Sequence, residues 1–215
     1  MGVIAEANIN DNGLIFSLDA ANFRSYSGSG LTSNGLIGEN NCTLVNGVGF
    51  TSTNGGSFIF DGSNDYIDLG NTIQNYSLFT TSFWINYNFF DGNHRSPLGD
   101  DSQNSSYHIL FLFGSLYLGF SSSSFVGFAH NNISINTWYN FVVTKNSSDN
   151  VSFYQNSLLL GTNTVEAGKL ASINKIGRGY VYDNAKISNV SFYNRALSAQ
   201  EIRQNFNATR KRYGV

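Results

Sequence analysis

The densest run of chemically useful side chains lies between Asp91 and Tyr107, reading Asp-Gly-Asn-His-Arg-Ser-Pro-Leu-Gly-Asp-Asp-Ser-Gln-Asn-Ser-Ser-Tyr. Sugar recognition combines amide and carboxylate hydrogen bonds with an aromatic face. Asn93, His94, Arg95, Asp100, Asp101 and Tyr107 offer those groups. The run separates two apolar segments, so it reads either as a ligand-binding loop or as an exposed variable connection. Both readings stay open on the sequence.

Catalytic chemistry finds less to work with. No serine sits in a G-x-S-x-G elbow. Cys42 is the only cysteine, and nothing in its spacing to His94, His108 or His130 favours a nucleophile pair. The histidines are scattered, without the C-x-x-C or H-x-x-x-H spacing of a transition-metal site. Calcium needs six or more oxygens. Asp61, Asp65 and Asp68, with Asp19 approaching in the fold, could supply carboxylates for it. Asp61 and Asp65 equally suit hydrogen bonds to their own turn, as Asx residues make. No cofactor is expected, and calcium is the one metal this chemistry would serve.

The elements that must hold these groups are mostly strands. Leu14-Ile15-Phe16-Ser17-Leu18, Ser57-Phe58-Ile59-Phe60, Tyr66-Ile67-Asp68-Leu69 and Phe83-Trp84-Ile85-Asn86-Tyr87 are β-branched and aromatic runs bounded by Gly, Asn and Asp turns. His108 to Phe113 and Leu116 to Phe120 flank Gly114-Ser115, a hairpin signal. Phe125 to His130, Trp138 to Lys145, Val151 to Gln155, Leu158 to Leu160 and Lys186 to Tyr193 continue the series. Trp84 and Trp138 lie inside apolar strands and read as core residues between two sheets; a sugar-stacking platform is the alternative. One helix is expected from Ser198, a capping box with Glu201 at N3 and a Leu197/Ile202 staple. It is expected to run to about Phe206 and to cover an end of the sandwich.

Composition agrees. Of 215 residues, 15% are aromatic, with 18 Phe, 12 Tyr, 22 Gly and the single Pro97, which suits many short strands joined by tight turns. Residues 1–168 carry three basic against twelve acidic side chains, and residues 169–215 carry nine basic against two acidic. Such asymmetry marks a docking surface for an acidic partner unless the two ends of the chain mix their charges in one fold. The short Arg210-Lys211-Arg212 run is too sparse a basic stripe for nucleic acid. One cysteine permits no internal disulfide. Met1 to Asn12 lacks a signal-peptide pattern, and no apolar run reaches membrane-spanning length, so a soluble chain made in a cytoplasm is expected.

Three stretches carry a family resemblance. Gly55-Gly56-Ser57-Phe58-Ile59-Phe60-Asp61-Gly62-Ser63-Asn64-Asp65-Tyr66-Ile67-Asp68-Leu69 resembles a strand–turn–strand with an FDG-x-x-D-Y core. Asn136 to Thr144 resembles a G-x-W-x-x-V-A-V strand, followed by a hairpin turned at Asn156-Ser157. Ile187 to Ser198 is similar to a final strand ending Y-N-R-A-L-S-x-x-E-I. Together they resemble the laminin-G-like (pentraxin-type) domain of the concanavalin A-like lectin/glucanase superfamily. Asn189 stands where that family usually has an acidic residue. The resemblance implies an all-β, two-sheet antiparallel jelly-roll sandwich with one short C-terminal helix, and ligands on a concave face or rim loops. An arm over 1–12, a sandwich over 13–206 and a basic tail over 207–215 are the expected divisions.

Retaining glycosidases of this superfamily carry a Glu-x-Asp-x-x-Glu strand that brings two carboxylates together. Glu6, Glu39, Glu166 and Glu201 are the four glutamates, and none is in that pattern. The expectation is therefore a non-enzymatic surface module of a virion, a phage capsid decoration or tail-associated protein, that binds host or environmental glycans. Its partners would be other virion proteins reached through the basic C-terminal region, a glycan, and a second copy of itself, with no nucleic acid and no membrane. A free carbohydrate-binding lectin of a cell is the alternative, and a glycoside hydrolase stands behind both.

Overall fold

A computed structural model describes residues 8–38, 41–89, 95–100, 108–112, 115–121, 124–130, 132–179 and 181–215. In chain order the strands are β1 (Leu14–Asp19), β2 (Thr32–Asn34), β3 (Asn41–Val45), β4 (Gly49–Thr51), β5 (Ser57–Ile59) and β6 (Tyr66–Tyr76). Then follow β7 (Phe79–Tyr87), β8 (Arg95–Gly99), β9 (His108–Leu112), β10 (Ser115–Ser121) and β11 (Ser124–Ala129). The last are β12 (Trp138–Lys145), β13 (Asn150–Gln155), β14 (Leu158–Thr164), β15 (Ala171–Ile176) and β16 (Ala185–Tyr193), before helix α1 (Ala199–Tyr213).

The strands form two eight-stranded sheets, antiparallel throughout. One runs β14-β13-β12-β7-β16-β5-β4, with β1 also on β16; the other runs β11-β10-β9-β8-β15-β6-β3-β2. β1 and β5 share one edge of β16, β1 along Asn189 to Tyr193 and β5 along Lys186 and Ile187. The opposite edge of β16 belongs to β7. The expected all-β sandwich with a C-terminal helix is what the chain forms.

Alternation sorts the side chains. Phe79, Phe83, Ile85 and Tyr87 of β7, Tyr139, Phe141 and Val143 of β12, and Val190 and Phe192 of β16 point between the sheets. There they meet Ile67, Leu69, Leu98, Leu116, Leu118, Ile173 and Ile176 of the second sheet. Burying a Phe or Ile stabilises by roughly 1.5–3 kcal/mol each. The hairpin at Asn156-Ser157 works without glycine: φ is 50° and 65° at its two central residues, the left-handed pair that a type I′ turn requires.

The same alternation overturns two expectations. Trp84 and Trp138 lie out of phase with Phe83 and Tyr139, so they leave the inter-sheet core for the outer face of the first sheet. Burial there comes from α1, which lies on that face rather than over an end of the sandwich. Trp84, Trp138, Phe206 and Tyr213 form one cluster, and Leu14, Val142, Tyr154, Tyr193, Leu197 and Ile202 a second nearer the helix start. The capping box and staple form as expected. The helix, however, passes Phe206 and runs through the expected basic tail to Tyr213, where Gly214 caps it at φ 73°. The described part of the N-terminal arm is tied to α1: Asn10 N–H donates to Asn205 Oδ1 at 2.7 Å, and Gln204 donates to Asn8 O at 2.8 Å.

Candidate functional site

The expected loop site divides. Arg95 to Gly99 is not loop but strand β8, inside the second sheet between β9 and β15. Arg95 opens that strand with its guanidinium 5.5 Å from the Phe89 ring centre. Asp100 follows the strand's far end, buried, and accepts from Asn174 Nδ2 at 2.9 Å. Five residues of extended chain separate them by about 17 Å, so they do not converge on one ligand. Asn93, His94, Asp101 and Tyr107 lie outside the described residues.

Arg95 instead faces a buried acid. Asp183 is fully enclosed beside Tyr87, and burial raises its carboxyl to about 7 although the Arg95 charge and the Asn184 N–H pull the other way. Burial likewise pushes the Tyr87 phenol well up. Asp183 and Tyr87 are both fully buried, so neither side chain is open to a ligand.

The other candidates are absorbed by structure. Asp61 Oδ1 accepts from Ser63 N–H at 2.7 Å, and Asp65 Oδ2 accepts from Asp61 N–H at 3.2 Å, the Asx arrangement. Asp68 pairs with Lys175 at 2.7 Å, and the two oxygens of Asp19 both accept from Arg212 Nη1, at 2.8 and 3.0 Å. Among the described residues no three His, Cys, Asp or Glu side chains gather as a metal site. Cys42 is buried in β3, and burial lifts its thiol to about 12, which keeps it protonated at neutral pH. Glu166 pairs with Lys169, and Glu201 with Arg195.

Arg212–Asp19 and Lys175–Asp68 also show how the lopsided charge is spent: basic residues of the C-terminal segment pair with acids from the rest of the chain. Of the basic run expected to dock a partner, Arg212 points inward, also donating to Asn54 O and Gly56 O.

The open, chemically mixed surface is the outer face of the first sheet, on either side of α1. One hollow, of about 220 Å³, is bounded by Ser17, Ser82, Asn140, Asn189, Ser191 and Asn205, with Trp84 and Tyr193 among its walls. The larger, of about 470 Å³, lies by the helix C-terminus. Its floor is one cross-strand row. Trp138 of β12 pairs with Asn86 of β7, Asn86 with Lys186 of β16, and Lys186 with Ile59 of β5. Thr51, Thr53, Ser57, Asn54, Asn136 and Tyr213 complete the wall.

This wall is held rigid. Trp138 Nε1–H donates to Asn54 Oδ1 at 3.2 Å, and Asn54 Nδ2 donates to Arg212 O at 2.9 Å, so Asn54 bridges the sheet and the helix end. Asn54 itself sits at φ 55°, the left-handed conformation that Asn tolerates. Tyr213 stacks on Trp84 at 4.0 Å and tilts over Trp138 at 4.9 Å. Asn86 Oδ1 and Ser57 Oγ, both in residues at least 95% buried, have no hydrogen-bond partner among the described residues. Sequence reasoning missed this row because strand register alone brings its four residues together.

The fold and this geometry meet a set of known proteins. The Laminin_G_3 family, described as concanavalin A-like lectin/glucanases superfamily, matches residues 61–203. No curated protein sequence matches the chain. The fold is similar to the receptor-binding domain of botulinum neurotoxin type G, at 16% identity and TM-score 0.67 over 91% of this chain and 51% of that one. It is similar to the binding domain of botulinum neurotoxin DC in complex with SialylT, at 18% and 0.70 over 93% and 52%. It is also similar to a Trypanosoma rangeli sialidase in complex with sialic acid, at 15% and 0.68 over 93% and 33%. The chain thus spans about half the length of the two neurotoxin domains and a third of the sialidase. At such identities the likeness is one of fold. The matched model covers most of the sequence, from the Asp61 turn through β16 into α1, and on that ground the chain belongs to the Laminin_G_3 family of the concanavalin A-like lectin/glucanase superfamily.

Proposed function

We propose that this chain is a non-catalytic glycan-binding module whose contact site is the larger hollow beside the C-terminal end of α1. The observation that carries the reading is the cross-strand row Trp138–Asn86–Lys186–Ile59, walled by threonine hydroxyls and asparagine amides. Sugars present hydroxyls around an apolar ring, and a site for them needs polar groups that bond in both directions beside an apolar surface. The row supplies both on a rigid sheet. Two of the similar structures hold SialylT and sialic acid, which supports a glycan as the ligand class. The described glutamates are engaged in other contacts and lie apart in the fold, which supports binding without hydrolysis.

A glycan array probed with the protein and with Thr51→Trp, which fills the hollow from its rim, tests this. Retention of defined glycans by the parent and its loss in the variant, at unchanged melting temperature, is expected. An array without hits, or hits that survive Thr51→Trp, would sink the reading.

A second, finer reading is display on a virion surface, as a capsid decoration or tail-associated protein. The solvent side of α1 favours a docking role, because Arg203, Arg210 and Lys211 all remain exposed along it. Copurification with assembled particles, reduced when these three are changed to Gln, is the outcome expected. A protein found only free in the cell extract or medium would return the reading to a free lectin.

A further inference from the structure

We infer that the larger hollow selects acidic sugars, those bearing a carboxylate or sulfate, and that Lys186 is the residue that selects them. The inference rests on the glycan-binding reading and narrows it to a ligand class.

The hollow's charge inventory carries the argument. Ten described residues line it, and among them Lys186 alone carries a formal charge. No carboxylate stands among them. Outside the backbone ladder, the Lys186 side chain has neither an ion pair nor a hydrogen bond to any described residue. In this it differs from Lys145, Lys169 and Lys175, each of which is held by an acid within 3.2 Å. The difference follows from register. Its cross-strand partners are Asn86 on β7 and Ile59 on β5, both uncharged. Asp19, an acid at the helix end, is already taken: both its oxygens accept from Arg212 Nη1.

Lys186 is half-buried as a residue, and its ammonium stands in the hollow with no counter-charge from a described residue. An incoming carboxylate or sulfate supplies that counter-charge through a charge-assisted hydrogen bond, about twice as strong as a neutral one. The helix C-terminus nearby carries a partial negative charge, but its last turn holds Arg210, Lys211 and Arg212, which offset it.

Spacing makes the acid a substituent of a sugar rather than a free ion. Trp138 and Lys186 stand on strands two apart, with β7 between them, a separation of roughly 10 Å between strand axes. A pyranose lying by Trp138 and over Asn86 therefore brings an exocyclic acid, not its ring, to the ammonium. The hydroxyls of Thr51 and Thr53 line the opposite side, where the sugar's own hydroxyls need partners. A bare anion would satisfy Lys186 and leave the rest of the row unused.

The test is an array carrying neutral, sialylated, uronate-containing and sulfated glycans, read with the parent protein, Lys186→Gln and Arg203→Gln. Arg203 is exposed on α1 and away from the hollow, so it controls for a general loss of positive charge. Hits confined to acidic glycans, weakened at least tenfold by Lys186→Gln and unchanged by Arg203→Gln, are expected. Raising the salt concentration should weaken those hits in the parent, since the contact is partly exposed. Neutral hits of equal strength, or acidic hits indifferent to Lys186→Gln, would overturn the selectivity and leave glycan binding standing. An array without hits overturns both.

Discussion

Arg195 grips Glu201 with both guanidinium ends, NH2 to Oε1 at 2.7 Å and NH1 to Oε2 at 3.1 Å. The same carboxylate accepts from Ser198 N–H at 2.8 Å, and the Asn10 amide donates to it at 2.9 Å. Arg195 reaches further, donating from Nε to Asn12 O at 2.8 Å. The Arg-Ala-Leu-Ser-x-x-Glu segment is therefore a clamp. It starts α1, fixes the helix to the end of β16, and pins the N-terminal arm across both.

Removing the clamp's acid is expected to be costly for so exposed a helix start. Glu201→Ala loses a cap worth about 1 kcal/mol and the charge-assisted bonds to Arg195, for a total of about 2 kcal/mol. Urea denaturation measures it; an unchanged midpoint would show that the clamp adds nothing.

The clamp also sets an acid limit. Its hydrogen bonds to Arg195 and Ser198 hold the Glu201 carboxyl down to about 2, below the usual glutamate range near 4.3. Because the folded value is depressed, the stabilisation is complete above the usual range and drains away as pH falls toward 2. The melting-temperature gap between the parent and Glu201→Gln should therefore be widest near neutrality and narrow between pH 4 and 2.

Asp183 works in the opposite direction. Burial lifts it to about 7, so the folded chain holds a proton that the unfolded chain releases near pH 4. Stability is fully present below about pH 4 and declines as pH rises toward 7. Asp183→Asn, which keeps the size and removes the charge, should flatten this decline in a series of thermal melts from pH 4 to 8.

Helix docking has its own reporter. The chain's two tryptophans are both roofed by α1, and Phe206 stacks on Trp84 at 5.6 Å and 13°. Phe206→Ala should cost about 3 kcal/mol and shift tryptophan emission to the red as water reaches the indoles. Emission that stays put would mean the helix holds without its central ring.

Gly177 ends β15 at φ 81°, and a Cβ there would stand 2.2 Å from Cδ1 of the fully buried Phe60. Gly177→Ala combines a left-handed backbone with a core clash and should destabilise by about 2 kcal/mol or more. A denaturation midpoint equal to the parent's would contradict this packing.

The strands legible in the sequence were those whose aromatic and β-branched runs sit between turn residues, as in β7, β12 and β16. β8 was not legible, because Arg-Ser-Pro-Leu-Gly reads as a loop and Pro argues against an inner strand. The fold absorbs Pro97 with a register shift between Arg95 and Leu98 against β9, while its carbonyl accepts from Gly177 N–H at 2.7 Å. The tryptophans were misplaced because an apolar run such as Phe83-Trp84-Ile85 hides its own alternation. A signal for the longer helix was present: Ile202, Phe206 and Tyr213, four and seven residues apart, mark one face, diluted by the Asn-Ala-Thr-Arg-Lys-Arg stretch between. The candidate site was illegible for a different reason. Trp138, Asn86, Lys186 and Ile59 are distant in sequence, and only pairing across four strands sets them in a row.

The place of β16 has a consequence in time. It binds β7 on one edge and both β1 and β5 on the other, so the centre of the first sheet depends on the last strand to emerge during synthesis. Until residues 185–193 and the helix after them are available, β1 and β5 lack their shared neighbour and both indoles lack their roof. Closure of that sheet thus spans positions 14 to 193, the kind of long-range pairing that slows folding, and β1 must wait for a partner made long after it.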